Sequence, residues 1–116
     1  MLMIARFTLA AVLLATSSPA LAHDDPPAPE VRIRHIGRLL ETVNDPRRGV
    51  YIRAYDGRWY YARTRDDCPR LTETARLSLI ASPGGHFDRN SAISAEGWRC
   101  LVASVTESAG PPNGHR

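Results

Sequence analysis

The stretch that decides the fold spans residues 50–64 and reads VYIRAYDGRWYYART. Two runs rich in β-branched and aromatic residues flank Asp56 and Gly57. A two-residue Asp-Gly loop is a strong short-range signal for a β-hairpin, because a type I′ turn needs positive φ at both central residues. The sequence therefore predicts two antiparallel strands joined by a tight turn.

Pairing the strands about this turn places Ala54 opposite Trp59 and Ile52 opposite Tyr61. These four side chains form the predicted inner face. The outer face is predicted to alternate tyrosine and arginine: Tyr51, Arg53, Tyr55, Arg58 and Tyr60. Tyrosine and arginine are enriched at protein interfaces, and guanidinium groups bind carboxylate or phosphate in a fork. We expect this face to bind a partner. A plain exposed sheet face, or one covered by another strand, would have the same pattern.

Further strand signals lie on both sides of the hairpin. Residues 75–80, 91–94 and 99–106 are short alternating or β-branched runs separated by turn clusters. Residues 36–43 fit a strand or a short helix, and we favour a strand because Gly37 disfavours a helix. In the last run, Cys100, Val102 and Ser104 are expected on one face and Leu101, Ala103 and Val105 on the other.

These elements predict a mainly β fold with one disulfide. Five or six short strands with turn signals between them are typical of a small antiparallel meander, either a curled sheet or a partly open barrel. The predicted domain spans residues 31–108. It is preceded by an acidic, proline-rich disordered leader at residues 23–30 and followed by a disordered tail at residues 109–116.

Residues 1–22 have the pattern of a secretory signal peptide with a helical apolar core. Arg6 precedes an apolar run at residues 7–15, and Ala20-Leu21-Ala22 offers the small-x-small pattern of a cleavage site. The run is too short to span a bilayer, and no second hydrophobic stretch follows. We therefore expect a periplasmic or secreted protein with no membrane anchor after cleavage.

Cys68 and Cys100 are the only cysteines of the chain. In an oxidising compartment a single pair is most simply a disulfide, whereas a metal site would need more ligands and a redox pair is more often C-x-x-C. Removal of Arg6 from fifteen basic residues leaves fourteen against twelve acidic residues, a net charge of +2. That mild charge and the predicted export both argue against nucleic acid as a partner.

Histidines are the remaining candidates for chemistry. His86 and Asp88 are two residues apart, so in a strand they would face the same side as an acid–base pair or two metal ligands. The same residues would equally suit a polar loop, with Asp88 capping a turn. His23 would become the new N-terminus after cleavage and could chelate copper through its amine and imidazole, if His35 or His86 came close.

Four short motifs resemble an uncharacterised family of small exported Gram-negative proteins that is defined only as a domain of unknown function. They are residues 58–61 (RWYY), 67–71 (DCPRL), 87–89 (FDR) and 97–101 (GWRCL), within a stretch of roughly 37–105. Similar proteins place two cysteines at these positions, so the resemblance also implies the disulfide. It implies location and fold type, and no activity.

The sequence thus favours a non-catalytic binding or interaction module over an enzyme. It contains no G-x-S-x-G and no H-E-x-x-H motif, and no cofactor is expected. The expected partner is an envelope protein or an anionic envelope polymer at the tyrosine and arginine face. The alternative is a small copper- or zinc-binding protein, or an enzyme, centred on His86 and Asp88. The oligomeric state is left open.

Overall fold

The computed structural model describes residues 28–112, and the predicted signal peptide and the residues on either side of this range lie outside it. A short 3-10 helix, Ile36–Arg38, precedes six strands. The strands are β1 (Glu41–Asp45), β2 (Arg47–Arg53), β3 (Trp59–Cys68), β4 (Leu77–Ile80), β5 (Ala92–Ala95) and β6 (Trp98–Ser108). Among the described residues, no helix is long and apolar enough to cross a bilayer.

All six strands join one antiparallel sheet in the order β1-β2-β3-β6-β5-β4. The sheet is curled into a half-barrel, which confirms the predicted mainly β fold. Strand β6 holds the two halves together, because its first part pairs with β5 and its second part with β3. The sheet therefore ends in two edge strands, β1 on one side and β4 on the other.

The strand predicted at residues 36–43 is only partly correct. Ile36–Arg38 forms a 3-10 turn, and the strand begins at Glu41. His35, just before the turn, has a left-handed backbone with φ of 53°, which redirects the chain before β1. The strands predicted later in the chain are present with shifted ends, and β6 is longer than expected.

The predicted register of the hairpin between β2 and β3 is wrong by one residue. Arg53 pairs with Trp59 and Tyr51 with Tyr61, so Trp59 and Tyr61 lie on the outer face. Tyr60 lies on the inner face opposite Ile52, where it packs against the core. The cause is the turn, which has three residues instead of two.

The observed turn is a type I turn followed by a bulge at glycine. The Gly57 amide donates to the Ala54 carbonyl at 2.9 Å, and the Ala54 amide donates to the Arg58 carbonyl at 2.9 Å. Only Gly57 has positive φ, at 86°, whereas the predicted type I′ turn needed positive φ at Asp56 as well. Asp56 instead accepts a hydrogen bond from the Arg58 amide through its side chain.

A bulge in β6 changes which residues of that strand face the core. Pairing advances by one residue on β3, from Arg63 to Thr64, while it advances by two on β6, from Ser104 to Val102. Ala103 is therefore the extra residue, and the alternation of side chains reverses there. Val105 lies in the core on the same side as Val102, not on the opposite face as predicted.

The core occupies the concave side of the curled sheet. Its members are mostly aliphatic residues of β2, β5 and β6, closed by residues from the loops: Ile33, Val50, Ile52, Ala54, Ala62, Leu71, Phe87, Ile93, Ala95, Val102 and Val105. The segment before the 3-10 turn pairs with the part of β6 that β5 does not reach. The Val31 amide donates to the Val105 carbonyl at 2.9 Å, and Glu30 bridges to Thr106. The predicted leader is thus ordered at its last residue.

Candidate functional site: the seam between the edge strands

The Cys68–Cys100 disulfide is present, as the sequence predicted. It joins the end of β3 to the beginning of β6, and both cysteines are buried within the core. The arrangement is that of a structural bridge, since buried disulfides are inert compared with exposed ones. The bridge also indicates an oxidising, non-cytoplasmic compartment.

The structure does not bring the five residues of the predicted tyrosine and arginine face together. Tyr51 and Arg53 lie on the outer face of β2, whereas Tyr60 lies on the inner face of β3. Tyr55 lies in the hairpin turn and Arg58 closes it, where Arg58 forms ion pairs with Asp56 and Glu107. The binding role that the sequence suggested for this set stays a prediction, but its members do not form one surface.

Several contacts within the chain hold the outer face of β1, β2 and β3. The Tyr61 hydroxyl donates to a carboxylate oxygen of Asp45 at 2.6 Å, and the ring of Tyr51 lies 4.7 Å from that of Tyr61. Arg53 faces Glu41 at 3.7 Å through Nη1, while its buried Nε has no hydrogen-bond partner among the described residues. Burial, followed by the hydrogen bond to Asp45, raises the pKa of Tyr61 well above its ordinary value. The phenol is therefore held protonated as a hydrogen-bond donor to Asp45.

His86 and Asp88 lie in the loop between β4 and β5, where Asp88 organises the loop. One carboxylate oxygen of Asp88 accepts from the Asn90 amide at 2.9 Å, and the other accepts from the Ser82 hydroxyl at 3.4 Å. The Ser91 hydroxyl in turn accepts from the Asp88 amide. These contacts fit the turn-capping role that the sequence analysis left open.

The described residues contain no group of three histidine, cysteine, aspartate or glutamate side chains that could hold a metal ion. His35 packs edge-on against Tyr55, with ring centroids 4.9 Å apart. His23 lies outside the described residues, so its suggested copper chelation stays a prediction. The metal or enzyme alternative thus rests on His86 and Asp88 alone, and the fold gives Asp88 a structural role.

Another feature of the molecule is the seam, by which we mean the gap between edge strands β1 and β4. Within residues 28–112, each of these strands is paired on one side only, β1 with β2 and β4 with β5. Their outward backbone N–H and C=O groups therefore have no strand partner. Such an edge is a template for another strand, and proteins usually protect it with proline, lysine or a bulge.

The seam contains two adjacent cavities of different character. The cavity that we call apolar, for its aliphatic side chains, has a volume of about 350 Å³ and lies where β1 begins and β4 ends. It is lined by Ile36, Leu39, Leu40, Leu77 and Leu79, together with the polar residues Glu41, Thr42 and Ser78. A more polar cavity of about 360 Å³ lies where β1 ends and β4 begins, and its lining includes Asn44, Glu73, Thr74 and Ala75. Thr42 and Leu77 border both cavities.

Asn44 closes the polar end of the seam. Its side-chain amide donates to the carbonyl of Thr72 at 2.9 Å and to the carbonyl of Ala75 at 3.1 Å. One side chain thus spans from β1 to the segment before β4. The seam is therefore held at this end and open along the strands toward Leu40, whose side chain is 55% exposed.

The charge of the seam differs from that of the whole chain. Glu41 lines one cavity and forms an ion pair with Arg53 at 3.7 Å, whereas Glu73 lines the other cavity. No arginine lines either cavity. Within residues 28–112 Glu73 has no ion-pair partner, so it leaves a local negative charge at the polar end of the seam in a protein of net positive charge. The site therefore combines aliphatic side chains, unpaired backbone and one acidic side chain at its polar end.

The sequence analysis identified residues 75–80 as a strand but did not identify the seam. Leu77 and Leu79 alternate with Ser78, which indicated a strand with one buried face. Whether that strand lies at an edge depends on the strand order of the sheet, which local patterns do not contain. Once β4 is known to be an edge strand, its lack of proline and of charged residues indicates an edge that is open to pairing.

Searches of protein-family models, of curated proteins and of solved structures find no significant match to this chain. The resemblance to the family of small exported proteins therefore stays a prediction.

Proposed function

We propose that this chain is an exported, non-catalytic binding module that acts in the periplasm or outside the cell and holds a macromolecular partner in its seam. The observation that carries the proposal is the pair of edge strands, β1 and β4, that face each other across an apolar groove with unpaired backbone groups. A groove with convergent apolar and polar groups is the usual form of a binding site.

Export is supported by two independent features. Residues 1–22 have the three-part pattern of a signal peptide, and the fold contains a buried Cys68–Cys100 bridge. A small domain with a modest core gains stability from such a bridge, and it forms in compartments that lack reducing thiols.

The non-catalytic part of the proposal is supported by the roles of the groups that could have performed chemistry. Asp88 is engaged by Asn90 and Ser82, and the Asp45 carboxylate accepts the Tyr61 hydrogen bond. A catalytic acid or base needs a nucleophile or substrate position within hydrogen-bond reach. The seam, in contrast, has binding surface without a set of reactive side chains.

The test compares two exposed leucines that receive the same substitution. Leu40 lies in the seam and is 55% exposed, whereas Leu101 lies outside the seam on β6 and is 46% exposed. The oxidised protein carrying Leu40→Arg or Leu101→Arg is used for native capture from a periplasmic extract, alongside the unchanged protein. We expect that a partner held by the unchanged protein is lost with Leu40→Arg and retained with Leu101→Arg.

A variant of the outer face distinguishes that face from the seam. Arg63 lies on β3 in the same alternation as Tyr61 and lines neither seam cavity, so Arg63→Ala should leave the captured partner unchanged. Equal capture by the Leu40→Arg and Leu101→Arg proteins, loss with Arg63→Ala alone, or recovery of no partner by the unchanged protein would contradict the proposal.

A further inference from the structure

We infer that the occupant of the seam is an extended polypeptide segment of a partner protein, apolar toward its N-terminus and positively charged toward its C-terminus. This inference rests on the proposed function and names its ligand. It is argued from the backbone of the edge strands, from the two cavities and from the direction of the strands.

The unpaired backbone specifies a polypeptide. Along one edge of a strand, the outward N–H and C=O groups come from alternate residues and therefore repeat about every 6.6 Å. A second extended polypeptide carries the same donors and acceptors at the same spacing and can satisfy them all, as in recognition by β-strand addition. A glycan or a lipid has no such repeat, and we therefore assign the seam to a polypeptide.

The absence of protection along β4 supports the same assignment. The strand reads Leu77-Ser78-Leu79-Ile80, with no proline, no charge and no bulge in its pairing with β5. The nearest basic residue before it, Arg76, is bound through its backbone to Glu96. An edge with these properties would favour uncontrolled pairing unless a particular partner covers it.

The two cavities specify the side chains of the segment. Leu39, Leu40 and Leu79 line one cavity and favour aliphatic side chains at alternate positions of the bound strand. Glu73 lines the other cavity, where no basic side chain of the chain itself is present. A basic side chain is complementary at that end, and an acidic one would be repelled.

The direction of the segment follows from the sheet. Neighbouring strands are antiparallel throughout the order β1-β2-β3-β6-β5-β4, so β1 and β4 run in opposite directions along the seam. One inserted strand can be antiparallel to only one of them, and antiparallel pairing is slightly the more stable. β4 is the uncharged edge, and we assign the antiparallel pairing to it.

A segment antiparallel to β4 enters at the apolar cavity and ends at the polar one. The apolar cavity lies beside Leu79 near the end of β4, and the polar cavity lies beside Ala75 before its beginning. The N-terminal part of the segment therefore meets the leucines, and its C-terminal part meets Glu73. The bound segment is thus apolar in its N-terminal part and basic in its C-terminal part.

The chain's own terminal segments do not have this chemistry. Residues 23–30 contain three prolines and three acidic residues, and the acidic seam would repel them. Residues 109–116 contain two adjacent prolines, which cannot donate to a ladder. Neither segment matches the chemistry of the seam, and we assign the occupant to a partner protein.

The experiment uses synthetic peptides with the oxidised, signal-cleaved full chain. The forward probe is a capped eight-residue peptide in which valine alternates with threonine for five positions and is followed by arginine, threonine and arginine. The reverse probe has the same residues in the opposite order, and the acidic probe has glutamate in place of arginine. Calorimetric titration measures the dissociation constant of each peptide.

We expect the forward peptide to bind about tenfold more tightly than either of the other two. The reverse peptide places its arginines against the leucines and its valines beside Glu73, and the acidic peptide places glutamate beside Glu73. Leu40→Arg should weaken forward binding by about tenfold or more, whereas the matched Leu101→Arg should leave it unchanged. Glu73→Gln should weaken it about twofold to fivefold, and Asp66→Asn, which removes one exposed acid outside the seam, should have no effect.

Equal binding of the forward and reverse peptides, or tighter binding of the acidic peptide, would overturn the inference. Failure of all three peptides to bind, while partner capture still depends on Leu40, would overturn the inference and leave the proposed function standing. Failure of both peptide binding and seam-dependent capture would contradict the proposed function itself.

Discussion

Gly49 lies where the ring of Tyr61 crosses β2, and the sheet has no room for a side chain there. A Cβ atom at this position would overlap the carbonyl oxygen of Ala62 and come within 2.8 Å of the Tyr61 hydroxyl. The close approach lets Tyr61 reach Asp45 on β1 across an intervening strand. Gly49 is thus a packing position.

Gly49→Ala should lower the free energy of unfolding by about 3 kcal/mol, because the backbone of β3 or the ring of Tyr61 must move. The matched variant is Gly37→Ala, where nothing lies within 4 Å of the added Cβ, and its stability should stay close to that of the unchanged protein. Denaturant unfolding of the two oxidised variants measures the difference. Similar midpoints would show that the packing over Gly49 is not as tight as described.

Tyr61 should make the stability of the fold sensitive to alkaline pH. The folded-state pKa of Tyr61 is raised above its value of about 10 in an unfolded chain, so its stabilising effect is complete below about pH 10 and is lost as the pH rises toward the folded-state pKa. Tyr61→Phe should lower stability by about 1 kcal/mol at neutral pH and reduce the loss above pH 10. Unfolding curves of both proteins from pH 7 to 11 measure this; parallel pH profiles would contradict it.

At the scale of the element, the hairpin turn sets the register in which β2 and β3 begin to pair. Gly57 has φ of 86° and nothing within 4 Å of an added Cβ, so a substitution there tests backbone conformation alone. Gly57→Ala should destabilise the fold by about 1 kcal/mol, and Gly57→Asn by less, because asparagine tolerates the left-handed region. Thermal unfolding measures both variants. Equal midpoints for alanine and asparagine would be inconsistent with the observed turn.

The hairpin also shows what the sequence could and could not provide. The Asp-Gly pair located the turn correctly, but it did not distinguish a two-residue loop from a three-residue loop that ends in a glycine bulge. The rest of β3 favours the observed register. Arg63 and Arg65 alternate in phase with Trp59 and Tyr61, so a register that buries Trp59 and Tyr61 would also bring both arginines into the core.

Other parts of the fold had no local signal. The bulge at Ala103 reverses the alternation of β6, and nothing in the residues around it marks the position. The edge positions of β1 and β4 follow from a strand order that arises only when the chain is assembled. Strand existence and the disulfide were predictable from composition, pattern and cysteine number, whereas the candidate site depends on long-range topology.

At the scale of the whole molecule, the Cys68–Cys100 bridge fixes the junction at which β6 changes partner. It closes a loop with a sequence separation of 32 residues. Chain entropy for a loop of this length corresponds to about 3.7 kcal/mol, which is a large share of the stability of a small domain. Reduction, or a Cys68→Ala and Cys100→Ala double variant, should therefore lower the thermal midpoint by well over 10 °C. An unchanged midpoint after complete reduction would contradict the role given to the bridge.

At the same scale, we expect a strand from a partner protein to pair with the edge strands β1 and β4 and so to complete the half-barrel. The unpaired edges of β1 and β4, the two cavities and the end closed by Asn44 all belong to one surface. On the outer face, in contrast, the Tyr61 hydroxyl is bound to Asp45 and the strands β2 and β3 are paired on both sides. The seam and the outer face can therefore be distinguished by where a ligand protects the backbone.

Amide hydrogen exchange of the oxidised protein comprising residues 23–116, with and without a saturating amount of the forward peptide, tests whether a strand inserts into the seam. We expect added protection to be confined to β1 and β4, because an inserted strand forms hydrogen bonds with their outward amides, while β2 and β3 are unchanged. Added protection in β2 and β3 without any in β1 and β4 would contradict it, as would unchanged exchange throughout the chain.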